Sequence, residues 1–294
     1  MSIGKFLLTK ENIQFVGKNS FKFGKTHIVD QGLRYFEKSK EEVAQIISNL
    51  EYMGMGSTGT ALDAVLTGIS VHYFEKLFVL TKSFEMYWIA KNRITIDENF
   101  QIIFDAVKSK LPVFVAQSHF GASYFMGITF MVNGLNIASV GKFPEPVGSM
   151  IVNGANLISE KYKTGKTKLI NVANPETDVP YEMLNTLMRG GILSNVFDEN
   201  NQFCNEMNLL DRKIMGGSGM DIFLKKYTDD KIIVVTPFLV RTGEDTYHFE
   251  LDRHYLSKGN IIQSFYNSLG KRISAHPDQW YFIHELHEAI QPQN

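Results

Sequence analysis

Apolar positions recur at helical spacing through the first third of the chain. They then give way to short, unbroken apolar runs. Residues 41–53 place Val43, Ile46, Ile47 and Leu50 on one helical face. Residues 70–90 predict a strongly apolar helix carrying Tyr73, Phe74, Phe78, Phe84, Tyr87 and Trp88. Asp97 is placed to cap a helix running to Ser109, with Phe100, Ile103, Phe104 and Val107 inward. From there strands and helices alternate. Strands are predicted at 112–117, 136–140, 167–172, 192–197 and 231–238, and helices near 121–134, 147–160, 178–189 and 217–227. A last strand at 246–251 and helices at 260–274 and 277–289 close the chain. Such alternation implies right-handed crossovers and an α/β fold, with a mostly parallel or mixed central sheet flanked by helices. Residues 1–95 read as a helical part packed on an α/β core of residues 96–294, within a single domain spanning 1–294.

Composition narrows the function. The chain has 294 residues, 44% of them hydrophobic, enough for one substantial core. A formal charge of −1 argues against a nucleic-acid-binding protein, which carries a basic surplus. The single cysteine, Cys204, permits no internal disulfide and fits a reducing, cytoplasmic setting. Lys5, Lys10, Glu11 and Lys18 interrupt the first segment, so no secretory signal is expected. The longest apolar stretch, residues 124–132, falls short of the roughly 20 residues a spanning helix needs. The chain holds 22 Phe and 12 Tyr; they serve either as extra core or as the lining of an apolar groove.

Three motif-like segments fail on context. Gly54-Met55-Gly56-Ser57-Thr58-Gly59 has dinucleotide-binding glycine spacing but follows a helix rather than a strand, so it reads as a loop. Gly165-Lys166-Thr167 would need a glycine where Glu160 stands to be a P-loop. In His284-Glu285-Leu286-His287-Glu288 the histidines are three apart, not the four a zinc-protease helix uses. No metal site or cofactor is expected.

Four other segments carry chemistry. Ser118-His119-Phe120-Gly121 follows the strand candidate 112–117, which puts His119 where open α/β sheets hold their ligands. A histidine there can act as a general base near neutral pH. The strand 192–197 ends in Asp198 and Glu199. Gly216, Gly217, Ser218 and Gly219 are placed to open a helix whose free backbone N–H groups would suit an oxyanion or a phosphate. The fourth segment is His276-Pro277-Asp278-Gln279-Trp280-Tyr281-Phe282-Ile283-His284.

In order and spacing these segments, with Thr236-Pro237-Phe238, resemble the lipid A biosynthesis (lauroyl/myristoyl) acyltransferase family, of lysophospholipid acyltransferase-like fold. The resemblance runs from about residue 70 to 288. It implies transfer of an acyl chain from a carrier-protein or coenzyme A thioester to a hydroxyl or amine acceptor. His119 would serve as base, no covalent enzyme intermediate would form, and an apolar groove would hold the chain. Aromatics of 70–90 and 124–130 are expected to line that groove.

Two departures stand out. The family carries an acid five positions after the histidine; here that position is Tyr124, and Ala122-Ser123 replace the usual Asn-Trp. Three explanations remain open: Asp198 or Glu199 supplies the carboxylate, the acceptor needs less help, or the site only binds an acyl group. The family's N-terminal membrane anchor is also missing, which favours a soluble or peripheral enzyme. Residues 70–90 either pack in the core or lie at a membrane interface. Lys142 and Arg241 follow strands, where each would be either a solvated charge or a contact for a coenzyme A phosphate or phosphopantetheine arm.

Overall fold

The computed structural model describes residues 2–143, 146–199 and 204–290. Six helices come first: α1 (Ile3–Leu7), α2 (Lys10–Lys18), α3 (Phe21–Lys38), α4 (Lys40–Tyr52), α5 (Gly59–Thr81) and α6 (Ser83–Asn92). Thr9 and Ser20 start α2 and α3 by accepting backbone N–H bonds from Asn12 and Phe23. Helix α5 has no single apolar stripe; twelve of its residues are buried, including His72, Phe74, Glu75 and Phe78. A helix hydrophobic all round lies inside the fold, and α5 is packed between the other N-terminal helices and the sheet-bearing half. The helix expected over 70–90 is two helices, because the chain turns at Lys82.

The sheet-bearing half holds β1 (Ile94–Ile96), β2 (Val113–Gln117), β3 (Ile137–Gly141), β4 (Thr167–Asn171), β5 (Ile192–Val196), β6 (Cys204–Leu209), β7 (Arg212–Gly217), β8 (Ile233–Arg241) and β9 (Tyr247–His254). Among them run α7 (Gln101–Lys108), α8 (Met126–Val132), α9 (Val147–Tyr162), α10 (Val179–Met188) and α11 (Asp221–Leu224). Helices α12 (Ile261–Ala275) and α13 (His287–Ile290) follow. The main sheet has seven strands in the order β1-β9-β8-β2-β5-β3-β4. All neighbours are parallel except β8 and β9, so the fold is α/β with a mixed, mostly parallel sheet, as the alternation predicts. The centre of β2 is buried on both faces, which is why it reads as an unbroken apolar run.

Two strand features depart from expectation. β1 joins the sheet edge beside β9. The second is the hairpin β6–β7, which occupies residues assigned to a loop and a helix start. The helix expected over 217–227 shrinks to the four residues of α11. Gly216 sits in β7 because a Cβ there would come within 2.2 Å of the Tyr266 hydroxyl. The glycine serves close packing, not a helix opening. Residues 277–289 form two short 3₁₀ turns and α13 rather than one helix. One contiguous cluster of buried apolar side chains runs from Ile3 in the first helix to Ala289 in the last.

Candidate functional site

Parallel pairing brings His119 and Asp198 together. Gln117 at the end of β2 is in register with Val196 at the end of β5. His119 and Asp198 each lie two residues beyond that pair, at the carboxyl edge where open sheets bind ligands. Asp198 is buried, and its Oδ1 lies 3.0 Å from His119 Nδ1. The same carboxylate accepts the His119 backbone N–H at 2.9 and 3.1 Å and the Trp280 indole N–H at 3.3 Å. A carboxylate only accepts, so the imidazole hydrogen is held on Nδ1 and Nε2 is left as the basic nitrogen. Glu199 Oε1 stands 3.5 Å from that Nε2 and is half exposed.

The turn carrying His119 is clamped from three sides. Gly121 has φ +63°, and a Cβ on it would sit 2.1 Å from the Leu239 carbonyl oxygen, so only glycine fits. Its N–H donates to the Gln279 carbonyl, the Ala122 N–H to the Leu239 carbonyl, and the Tyr281 N–H to the His119 carbonyl. The C-terminal segment found in the sequence is thus the strap on the histidine turn. Arg241 adds a bond to the Gly121 carbonyl at 2.8 Å. Its guanidinium is also held bidentately by buried Glu75 of α5, both contacts at 2.7 Å.

A cavity of about 650 Å³ opens at His119, within the range of small-molecule sites. It crosses the face of β5, β3 and β4, where Ser194, Ser139 and Leu169 lie in register, and α8 and α9 cover it. Small residues leave the room: Gly127 on α8, Gly154 and Ala155 on α9, and Ser139 on β3. Leu77, Leu80, Met86, Ile128, Met131 and Ile158 make most of the wall apolar. Ser118, beside His119, is buried, and its hydroxyl finds no hydrogen-bond partner among the described residues.

Burial alone would lower the His119 pKa. The Asp198 charge and hydrogen bond, then Glu199 and Glu285, outweigh it, so His119 titrates above its ordinary 6.5. Burial, with the charges of Asp198 and Glu285, also raises Glu199, although His119 pulls it down. Tyr124 lines the cavity, and burial pushes its hydroxyl up, so it is neutral at pH 7. Its ring lies 4.9 Å from His72 and under Lys76 at 5.6 Å. Burial lowers the Lys76 ammonium, with Glu285 opposing. His72, fully buried and stacked on Tyr281 at 3.6 Å, is held well below the usual histidine range.

Several expected site residues lie elsewhere. Gly216, Gly217, Ser218 and Gly219 are absent from the cavity wall, and the Gly217 N–H is used by the Phe197 carbonyl at 3.2 Å. That carbonyl also accepts the Tyr266 hydroxyl at 2.7 Å. Gly217 therefore braces the residue before Asp198, and the segment lies outside the wall of the His119 cavity. Arg241 is neutralised by Glu75 and is not available to a phosphate. Lys142 does line the cavity. Of the aromatics in 70–90, none faces the cavity; Phe74 and Phe78 are core, and Phe84 and Trp88 are exposed. No three-residue cluster of metal-ligating side chains occurs among the described residues. None of their helices is long and apolar enough to cross a membrane.

No protein-family model matches the chain, and no curated protein matches it. The site must be read from its own geometry. What it presents is a buried carboxylate, an oriented imidazole and a largely apolar cavity reached from that imidazole. The residues that sequence reasoning did not single out are Trp280 as a donor to Asp198, Ser118, Glu75 and the cavity-lining Glu285. Trp280 and Ser118 lie inside quoted motifs and Glu285 inside the segment set aside as zinc-like; nothing in the local spacing marks Glu75.

Proposed function

We propose that the protein is an acyltransferase that moves an acyl chain from a carrier-protein or coenzyme A thioester to a hydroxyl or amine acceptor, in the manner of the lipid A acyltransferases its motifs resemble. The observation carrying this reading is that His119 lines a mostly apolar cavity while buried Asp198 holds its Nδ1. In this reading Asp198 takes the place of the acid replaced by Tyr124. His119 removes the acceptor's proton as its oxygen or nitrogen attacks the thioester carbonyl. The new C–O or C–N bond forms, the C–S bond breaks, and the thiolate leaves with the proton returned from His119. Ser118 Oγ is the free donor nearest the histidine in the chain and serves the oxyanion. The acyl chain lies between α8, α9 and the sheet face.

The test is mass spectrometry of the protein mixed with acyl-carrier and acyl-coenzyme A donors and pooled hydroxyl and amine acceptors, beside His119→Ala. An acylated acceptor that disappears in the variant is the expected result. Free fatty acid alone, lost in the variant, would make the protein a thioesterase. Donor binding without turnover would make it an acyl-binding protein.

A further inference from the structure

The outward faces of α6 and the C-terminal half of α9 carry a feature that the proposed chemistry does not use. Phe84 and Trp88 on α6 are 43% and 49% exposed, and Leu157 on α9 is 51% exposed. Phe84, Tyr87, Trp88 and Lys91 share one helical face by their i, i+3, i+4, i+7 spacing. The two helices meet through Tyr87, stacked on Tyr162 at 3.7 Å. A Cβ on Gly154 would lie 2.4 Å from Ser83 Oγ, and Lys161 Nζ sits 4.3 Å over the Phe84 ring. Leu157, on the Gly154–Lys161 side of α9, falls between those contacts.

Charge tells what the face is suited to cover. Lys161 and Lys91 lie over the rings of Phe84, Tyr162 and Tyr87, and neither has a carboxylate partner among the described residues. Arg93 lies over Trp88 at 5.2 Å and reaches Asp245 at 3.5 Å. The nearby Glu85 is taken by Lys82. Exposed aromatic and aliphatic side chains interleaved with unneutralised ammonium groups match the boundary between acyl chains and anionic headgroups.

We propose that this α6–α9 face seats the protein on an anionic lipid surface, with Trp88, Phe84 and Leu157 entering the headgroup boundary and Lys91 and Lys161 meeting lipid phosphates. The same two helices supply Ser83, Met86, Ala155 and Ile158 to the cavity wall, so a seated protein would hold its cavity beside the bilayer. The proposal does not rest on the acyl-transfer reading.

The chain offers its own reporter. It has two tryptophans, and the other, Trp280, is 1% exposed. Titration with phosphatidylcholine vesicles containing one-third phosphatidylglycerol should shift Trp88 emission to the blue and shield it from iodide. Pure phosphatidylcholine should do far less. Trp88→Phe should abolish the shift. The Lys91→Glu/Lys161→Glu variant should weaken vesicle partition roughly tenfold or more. Both variants change exposed side chains, and unchanged urea midpoints would verify that they fold. No partition, partition with unchanged Trp88 emission, or equal response to neutral vesicles would overturn the proposal. So would a shift produced by an acidic carrier protein but not by vesicles.

Discussion

At the residue scale the decisive pair is His119 and Asp198. The carboxylate fixes the imidazole tautomer and raises its pKa above 6.5 against the effect of burial. As the proposed base, His119 must be neutral to accept a proton, so kcat/KM should rise with pH through that elevated pKa. The acid limb is therefore expected above pH 6.5. Asp198→Asn removes the charge that raises the pKa, so the limb should move to lower pH while turnover falls by about 10²–10⁴-fold. A pH–rate profile of the two proteins checks both; an unmoved limb would remove Asp198 from the role. The stability effect has the opposite sense. A raised histidine pKa contributes stability that is present below the unfolded value and lost as pH climbs through the folded one.

At the scale of elements, two contacts decide how the site is built. Glu75 and Arg241 join α5 to the end of β8 and reach the carbonyl of Gly121. Glu75→Gln should cost about 3–5 kcal/mol in urea denaturation, because it leaves a guanidinium buried without its counter-charge. Glu75→Leu with Arg241→Met should cost less than that single change, since no charge then remains buried; equal or greater loss would contradict the account. Helix α8 provides the second test. Gly127 lines the cavity, and a Cβ there meets nothing within 4 Å. Gly127→Leu should therefore fold with unimpaired stability, helped by relief of glycine's entropy cost. On the proposed acyl-transfer reading it should shift donor preference toward shorter chains. Unchanged preference in a competition among donors of graded length would place the chain elsewhere.

Over the whole molecule, buried His254 and His72 make the fold sensitive to acid. His254 bonds Thr236 and Ser264 through its two ring nitrogens, each at 2.8 Å. Burial holds its pKa at about 4, against the usual 6.5. Between those values the unfolded chain binds the extra proton, so stability falls as pH drops through that window. The difference amounts to roughly 3 kcal/mol. Fully buried His72 acts in the same direction. Urea midpoints at pH 7 and pH 4.5 should separate clearly for the natural chain and less for His254→Gln. An identical acid loss in the variant would assign it to other groups.

The sequence by itself determined the alternation of strands and helices, the apolar run of β2 and the placement of His119 just beyond it. These are local matters of periodicity and of a glycine that must adopt positive φ. It also offered Asp198 or Glu199 as the carboxylate partner of His119, as one of three explanations for Tyr124. The hairpin β6–β7 escaped it because Gly216 and Gly217 read as a helix opening until Tyr266 is seen against them. The break between α5 and α6 escaped it because apolar residues continue through both helices. Only the tertiary structure decided which carboxylate meets which nitrogen, since the β2–β5 register aligns residues 79 apart in the chain. It likewise decided that Arg241 is spent on Glu75, a pairing across 166 positions. The cavity, too, exists only where small side chains from separate elements face one another. Period and propensity act over a few residues; register, charge pairing and empty space are properties of chain segments that meet.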